Sequence, residues 1–286
     1  MPDTPNTVTH VSDTARWVAI YRAMETERPD ALFRDPYARR LAGDHGEAIV
    51  NTMPSGRRMA WAMIVRTAVM DEIIMREVGN GVTTVLNLAA GLDTRPYRLP
   101  LPAALRWYHV DFPDMVAYMR ERLAGESPRC ALAFEAADLT RADERQRVFA
   151  RAAAGGGPVL VVSEGLLVYL TRDQVAALAG ELHAQASFRS WLIDLASPLL
   201  QRFMRGWSPH LAAGNAPMHF FPPEGTAFFA PHGWREAEFR STWTESLRLK
   251  RSMRGARFWQ LLSRLRSKAK REAAIRMSGI VLLERG

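Results

Sequence analysis

The stretch that decides the fold is LNLAAGLDTRP, residues 86–96. It joins an apolar run to small residues and then to residues that can begin a helix. A strand that passes directly into small residues lets its backbone approach a ligand closely, and Gly91 can adopt backbone angles that other residues avoid. An ordinary tight turn between a strand and a helix has the same pattern, so this stretch alone is compatible with either.

From residue 83 onward, short apolar runs alternate with helical patterns. Thr171 and Gln174 can form a capping box, and Pro113 suits a first helical turn. The alternation predicts an α/β fold, with a mostly parallel sheet and helices on both faces. The candidate strands are 83–89, 105–110, 131–136, 158–163, 190–195 and 278–284, and the candidate helices are 94–98, 113–124, 141–153 and 171–186.

The flanking regions have different patterns. Broad apolar faces at 13–27 and 55–78 predict helices, separated by the turn-like RPDALFRDPYA at 28–38. Segment 197–232 is rich in Pro, Gly, His and Phe and is expected to lie over the carboxyl edge of the sheet, where open α/β folds bind ligands. We expect a single domain with a helical N-terminal cap at 1–80, a core at 83–196, a lid at 197–232 and the C-terminal part of the sheet at 233–286.

Composition indicates a globular protein. With 286 residues, of which 48% are hydrophobic and 24% charged, the chain can bury a substantial core. Cys130 is the only cysteine, which excludes an internal disulfide and a cysteine-based metal cluster, and no metal is expected. The first ten residues lack the order of a signal peptide, and no uncharged apolar run approaches the about 18 residues of a membrane helix. A cytoplasmic location without membrane insertion is expected.

The net charge of +8 is concentrated in one stretch. Residues 248–276 contain eleven Lys and Arg residues and a single acid, Glu272, whereas the rest of the chain is slightly acidic. A nucleic-acid partner is therefore not expected. Segment 257–276 is interpreted as a surface helix with a solvated basic face, and attraction of an anionic substrate, a carrier protein or a membrane surface is the alternative.

Acidic residues follow three successive candidate strands. Asp111 comes 20 residues after Gly91, where an acid can hold ribose hydroxyls. Asp138 and Leu139 follow the next candidate strand, where a polar and an apolar side chain together can bind an adenine ring. Glu164 follows the candidate strand after that. Each acid alone could be a helix cap, but three at one sheet edge favour a ligand site.

Arg66 lies in MAWAMIVRTAVM, residues 59–70, which contains no other charge. Burying a guanidinium without a partner is costly. Arg66 therefore forms either a structural salt bridge, for which Asp71 and Glu72 are candidates, or a clamp on a ligand carboxylate.

Taken together, these motifs resemble those of the leucine carboxyl methyltransferase-like class I methyltransferases, and within them the bacterial polyketide O-methyltransferase branch of the tetracenomycin type. The resemblance extends over most of the chain, in family order. The matching stretches are DTARWVAIYRAMETERPDALFRDPYARRLAG (13–43), VRTAVMDE (65–72), VLNLAAGLDTRPYRL (85–99), HVDFP (109–113), AADL (136–139), SEGLLVYL (163–170), HGW (232–234) and SGIVLLER (278–285).

The resemblance implies a Rossmann-like class I methyltransferase fold with a seven-stranded sheet, and S-adenosyl-L-methionine as the cofactor. It implies O-methyl transfer to a carboxylate or phenolic hydroxyl of a small aromatic or polyketide-like metabolite. Arg66 would bind the methionine carboxylate, with Glu164 near the same end; Asp111 would bind the ribose. The cofactor-binding residues that it implies are Arg22, Arg66, Ala89, Ala90, Gly91, Asp111, Asp138, Leu139 and Glu164.

One departure from the family concerns Ala89. The family usually has L-G-x-G where this chain reads L-A-A-G. The additional methyl group is expected to crowd the cofactor or to shift the backbone.

The acceptor side is less defined. Tyr169, His219 and Phe220 are the candidates for contact with a small-molecule acceptor, and no catalytic residue is assigned. A carboxylate is already ionised, whereas a phenol with a pKa of about 10 would benefit from a base, for which Tyr169, His210, His219 and His232 are open possibilities. The aromatic cluster HFFPPEGTAFF (219–229) fits either a flat apolar acceptor or a small core of the lid itself, and Trp234 fits either core or site.

Other functions remain as alternatives. A nicotinamide-dependent oxidoreductase would need glycines at 89, 91 and 94, where the chain has Ala89, Gly91 and Thr94. An RNA methyltransferase is favoured only by the basic stretch. A protein carboxyl methyltransferase and a cofactor-binding protein without catalysis also stay open, as does the oligomeric state.

Overall fold

The structure is a computed structural model that describes residues 13–52, 56–204, 217–253, 255–256, 260 and 267–286. It contains a seven-stranded sheet in the order β3-β2-β1-β4-β5-β7-β6. The strands are β1 (Thr84–Leu88), β2 (Arg106–Asp111), β3 (Ala131–Ala136), β4 (Val159–Ser163), β5 (Phe188–Ala196), β6 (Trp234–Ser241) and β7 (Ser278–Arg285).

The predicted seven-stranded, mostly parallel α/β sheet is confirmed. Strands β1 to β5 pair in parallel, and β7 lies antiparallel between β5 and β6, so the sheet is mixed. Strand β1 pairs with β2 on one side and β4 on the other, so the strand order reverses there. Ligand crevices of open α/β sheets form at such a reversal, at the carboxyl ends of the strands.

Helices cover both faces of the sheet and fill the N-terminal region. The prediction that 28–38 separates two helices is incomplete, because a helix follows directly from Ala38 and bends at Gly43 (φ 60°). The helices are α1 (Asp13–Thr26), α2 (Ala38–Thr52), α3 (Ala60–Gly79), α4 (Arg95–Arg98), α5 (Pro113–Arg122), α6 (Ala142–Ala153), α7 (Arg172–His183), α8 (Pro198–Phe203), α9 (Thr242–Arg248) and α10 (Lys268–Ile275), with short 3-10 helices at Gly56–Met59, Leu167–Tyr169 and Gly225–His232.

Three apolar clusters hold these layers together. On one face, Val69 and Ile73 of α3 pack on the central strands. On the other face, α6, α7 and Trp234 cover them, and Trp234 is core, only 1% exposed. A third cluster joins α1, α2 and α5. Every residue of β1 and β4 is buried, as expected for central parallel strands covered on both sides.

Some predictions fall partly outside the described residues. The candidate helix at 257–276 is described only at Gln260 and from 267, where α10 occupies Lys268–Ile275. The candidate lid at 197–232 lacks a description of 205–216, so the division into cap, core and lid stays a prediction. Within the described ranges, no helix combines the length and apolar character needed to span a membrane.

Candidate functional site

A cavity of about 440 Å³ opens at the carboxyl ends of β1, β2, β4 and β5. The turns after these strands form its floor, while α1, α3 and residues 217–218 and 220–221 contribute walls. The three strand-end acids that were singled out from the sequence all line it, as do Arg66 and the turn at 89–91.

The turn after β1 is fixed by residues at the end of β2. The Gly91 amide donates to Asp111 Oδ2 at 2.6 Å, and the Phe112 amide donates to Asp111 Oδ1 at 2.8 Å. His109 Nε2 lies 3.1 Å from the Gly91 carbonyl oxygen. Burial lowers the pKa of His109, which keeps the ring neutral and able to donate to that carbonyl. Sequence reasoning missed His109, although it directly precedes the Val–Asp pair that ends β2.

Gly91 is required both by its backbone and by its neighbour. Its φ is 54°, in the left-handed region that side chains disfavour. A Cβ atom placed there would also lie 3.0 Å from the Ala15 Cβ atom of α1. Helix α1 therefore packs directly on this turn, which encloses the cavity from the N-terminal side.

Ala89 adopts an unusual backbone conformation. Its φ is 51°, and the only other described residue besides glycine with positive φ is Lys250. The expectation of crowding by the extra methyl group thus becomes a more specific finding: the strain resides in the backbone of Ala89 itself. A glycine at this position would adopt the same angles without strain.

Arg66 pairs with acids at the ends of two strands. Its Nε donates to Glu164 Oε1 at 2.9 Å, and its Nη1 donates to Asp194 Oδ2 at 3.0 Å. The suggested partners Asp71 and Glu72 are therefore wrong. Asp71 pairs instead with Arg95 and Arg98, and Glu72 pairs with Arg240 and Arg248.

The GLDTRPYR segment supplies a second buried arginine cluster. Arg95 is 2% exposed and donates to Asp71 at 2.6 Å, to Asp93 at 3.0 Å and to Glu164 at 2.8 Å. Arg98 donates to both oxygens of Asp71. Sequence reasoning missed this cluster and Asp194, although three charges within a buried segment and a fourth strand-end acid were visible signals.

Two of the candidate residues, Glu164 and Arg22, are held by buried ion pairs. Burial opposes the ionisation of Glu164, but Arg95 and Arg66 outweigh it and lower its pKa to about 2. Arg22 donates to Asp35 at 2.8 Å and to the Leu92 carbonyl oxygen at 2.6 Å. Glu164 is therefore a permanent anion, and Arg22 holds the turn after β1 in addition to lining the cavity.

The other end of the cavity is formed after β3. The Thr140 amide and hydroxyl donate to Asp138 Oδ1 at 2.9 Å and 2.7 Å, and the Asp138 amide donates to Glu144. This turn presents Leu139 and Thr140 to the cavity. Asp138 and Leu139, the polar and apolar pair singled out from the sequence, thus lie at the same wall of the cavity.

The acceptor candidates separate into two groups. Tyr169 and Phe220 line the cavity. His219 is not among the lining residues, and its backbone amide donates to the Val168 carbonyl oxygen at 2.7 Å. His232 packs against Phe228, with ring centroids 5.5 Å apart, and His210 lies outside the described residues.

The aromatic cluster at 219–229 serves both roles considered from the sequence. Phe220 and Phe221 line the cavity. Phe228 packs edge-on against Phe220 at 4.9 Å, and Phe229 packs against Trp191 at 5.5 Å. One side of the cluster is therefore cavity wall and the other belongs to the core of the sheet.

Comparison with known proteins points to one chemistry. The leucine carboxyl methyltransferase family matches residues 15–183. A candidate S-adenosyl-L-methionine-dependent methyltransferase from Streptomyces coelicolor is 32% identical over 233 residues, which cover 77% of this chain and 82% of the relative. Another from Parafrankia sp. is 34% identical over 251 residues, which cover 81% and 79%.

Solved structures share the fold. A DUF574 family protein from Streptomyces avermitilis is similar with a TM-score of 0.59 at 14% identity, covering 96% of this chain and 97% of that one. A magnesium protoporphyrin IX methyltransferase from Synechocystis with bound S-adenosylhomocysteine gives a TM-score of 0.50 at 16% identity, covering 87% and 93%. At these identities the likeness concerns the fold alone.

The cofactor that the sequence relatives imply is S-adenosylmethionine, and the cavity residues fit it. Arg66 Nη2 donates to no acceptor in the described part of the chain, and Arg66 lines the cavity. The backbone at 89–91 is open to close approach, and carboxylates lie at both ends of the cavity. The described residues contain no group of three His, Cys, Asp or Glu side chains suited to a metal ion.

Proposed function

The chain belongs to the leucine carboxyl methyltransferase family and is an S-adenosylmethionine-dependent methyltransferase, and from this premise we propose that it methylates an oxygen atom of a small acceptor. The acceptor group is a carboxylate or a phenolic hydroxyl, carried by an aromatic or polyketide-like metabolite. The tetracenomycin-type branch is part of this proposal.

Each part of the cofactor is assigned to the residues at one end of the cavity or the other. Arg66 binds the methionine carboxylate, because its Nη2 is available and a guanidinium suits a carboxylate. Asp111 binds the ribose hydroxyls, and Asp138 with Leu139 lies at the adenine. Glu164 holds Arg66 and Arg95 in place.

The observation that carries the acceptor proposal is the apolar part of the same cavity. Beyond the charged turns, the walls are almost entirely aliphatic, aromatic or sulfur-containing. Apolar walls with few polar groups are typical of sites for small organic ligands. The lining residues of this part are Trp17, Val18, Met63, Leu166, Leu167, Val168, Leu200, Met204, Met218, Phe220 and Phe221.

The transfer itself is an in-line displacement at the methyl group of the sulfonium. The chain mainly has to align the acceptor oxygen with that methyl group and to exclude water. The apolar walls and the packing of α1 on the turn after β1 favour the exclusion of water.

A carboxylate acceptor is favoured over a phenol by the ionisable residues of the cavity. Burial raises the pKa of Tyr169, which also hydrogen bonds with Thr14, so its hydroxyl stays protonated. Glu164, with a pKa of about 2, is too weak a base for a phenol. No histidine lines the cavity among the described residues, and a carboxylate needs no base at all.

The RNA alternative rests on a basic stretch whose described cations are partly paired within the protein. Several described cations of the basic stretch already pair with acids: Arg248 with Glu72, Arg251 with Glu25 and Arg276 with Glu236.

The proposal is tested by methyl transfer from radiolabelled S-adenosylmethionine to a panel of aromatic carboxylic acids and the corresponding phenols. Mild base releases methanol from a methyl ester but not from an aryl methyl ether, so the methylated group is identified directly. The primary amides of the same acids serve as matched controls that lack the carboxylate group. Transfer to RNA or to protein carboxyl groups, with none to the panel, would refute the proposed acceptor class.

A further inference from the structure

Asp194 is a cavity residue that the preceding assignment does not use. It lies near the end of β5, opposite Ile280 of the antiparallel strand β7. Its Oδ1 accepts from the Gly165 amide at 2.6 Å and its Oδ2 accepts from Arg66 Nη1 at 3.0 Å. The side chain lines the cavity and is 25% exposed.

The neighbouring acids are more fully engaged. Both oxygens of Glu164 accept from arginines, Oε1 from Arg66 and Oε2 from Arg95, and its side chain is 15% exposed. Asp93 is 9% exposed and accepts from Arg95 and Asn87. Asp194 accepts from one arginine, and its side chain is the most exposed of the three, at 25%. At this end of the cavity it is therefore the carboxylate with the most capacity for a further cation.

Arg66 and Asp194 together present opposite charges side by side. The amino-acid end of the cofactor has the same character, since its carboxylate and its ammonium group are attached to one carbon atom. Arg66 matches the carboxylate, and among these acids Asp194 is the best match to the ammonium group. A buried carboxylate with an ammonium partner gains a charge-assisted hydrogen bond and loses an unfavourable excess of negative charge.

We propose that Asp194 binds the ammonium group of the cofactor, beside the carboxylate held by Arg66. The inference rests on the assignment of Arg66 made above, but not on the acceptor. In this assignment the two side chains together recognise the whole amino-acid end of the cofactor: Arg66 binds the carboxylate and Asp194 binds the ammonium group.

The test uses four ligands that differ only at this end. S-adenosylhomocysteine has both charges. Its aminopropyl analogue lacks the carboxylate, its carboxypropyl analogue lacks the ammonium group, and methylthioadenosine lacks both. Affinities are measured by calorimetry, without acceptor, for the unmodified protein and for Asp194→Asn, Arg66→Met and the exposed control Asp173→Asn.

Asp194→Asn keeps an oxygen for the Gly165 amide but removes the charge. It should weaken S-adenosylhomocysteine and the aminopropyl analogue about 10- to 100-fold, as for the loss of a charge-assisted hydrogen bond. The carboxypropyl analogue and methylthioadenosine should bind as before. Arg66→Met should weaken binding of the carboxypropyl analogue and leave that of the aminopropyl analogue unchanged. Asp173→Asn should change the affinity for neither analogue.

Three results would overturn the proposal. Equal weakening of the carboxypropyl analogue would show that Asp194 acts only through Arg66. Weakening of methylthioadenosine would show a general distortion of the cavity, and unchanged affinities would remove Asp194 from the site. Asp194→Ser provides the same comparison if the Asn variant does not fold. If Arg66→Met spares the carboxypropyl analogue, the assignment of Arg66 fails separately.

Discussion

Replacing Ala89 by glycine should relieve strain that the structure locates in one backbone angle. The φ of Ala89 is 51°, whereas its neighbour Ala90 is not among the residues with positive φ, and both side chains are partly buried. Left-handed backbone costs an L-residue about 1–2 kcal/mol, and glycine does not incur this penalty. Ala89→Gly should therefore gain this energy in the folded state.

The matched control is Ala90→Gly. Both substitutions replace alanine by glycine, so both increase the conformational freedom of the unfolded chain, which costs about 0.4–1 kcal/mol of stability. Only Ala89→Gly also relieves strain. The Ala90 variant should therefore be destabilised, the Ala89 variant should be unchanged or stabilised by up to about 1.6 kcal/mol, and the two should differ by about 1–2 kcal/mol.

Urea unfolding of the protein and the two variants measures this difference, and calorimetry with S-adenosylhomocysteine measures its effect on the site. Cofactor affinity should stay the same or increase in Ala89→Gly, because the turn keeps its angles. Equal destabilisation of both variants would contradict the strain argument. Markedly weaker binding by Ala89→Gly would show that the turn has adapted to alanine.

Three further substitutions probe other parts of the site. Asp111→Asn should weaken S-adenosylhomocysteine by about 1–3 kcal/mol by calorimetry, and unchanged affinity would exclude Asp111 from the site. Leu200→Trp narrows the apolar part of the cavity, so it should raise the KM of bulky acceptors without altering cofactor affinity; a shift in cofactor affinity alone would contradict the apolar assignment. Burial lowers the pKa of His109 below its ordinary 6.5, so the unfolded chain takes up the proton first and stability should fall as pH drops below 6.5. His109→Gln should flatten this dependence in unfolding measurements above and below that pH, and an unchanged slope would assign it to other groups.

The central sheet could be predicted because its strands are buried on both faces and therefore read as short apolar runs. Strand β6 was missed for a physical reason. It is only partly buried, and a register shift between Glu236 and Glu238 breaks the alternation of its side chains. Helix α2 was missed because Gly43, with positive φ, bends it and interrupts its pattern.

The position of the candidate site could be predicted from the sequence, but the contacts between its side chains could not. Parallel strands bring their carboxyl ends to one edge, so acids that follow strands can be placed there without knowing any contact. Their pairing is different, because it depends on how α3 crosses that edge. The positions of Arg66, Glu164 and Asp194 in the sequence do not determine which acids the arginine meets.

The pairing also explains how the charged residue Arg66 is tolerated in an otherwise apolar helix before a ligand binds. An unpaired guanidinium at Arg66 would be expensive to bury, and the two acids remove that cost before any ligand arrives. Because Nε and Nη1 are engaged, the guanidinium is held in a fixed orientation with Nη2 available. A ligand carboxylate then meets a donor whose orientation is already set, and it gains affinity because little side-chain freedom remains to be lost.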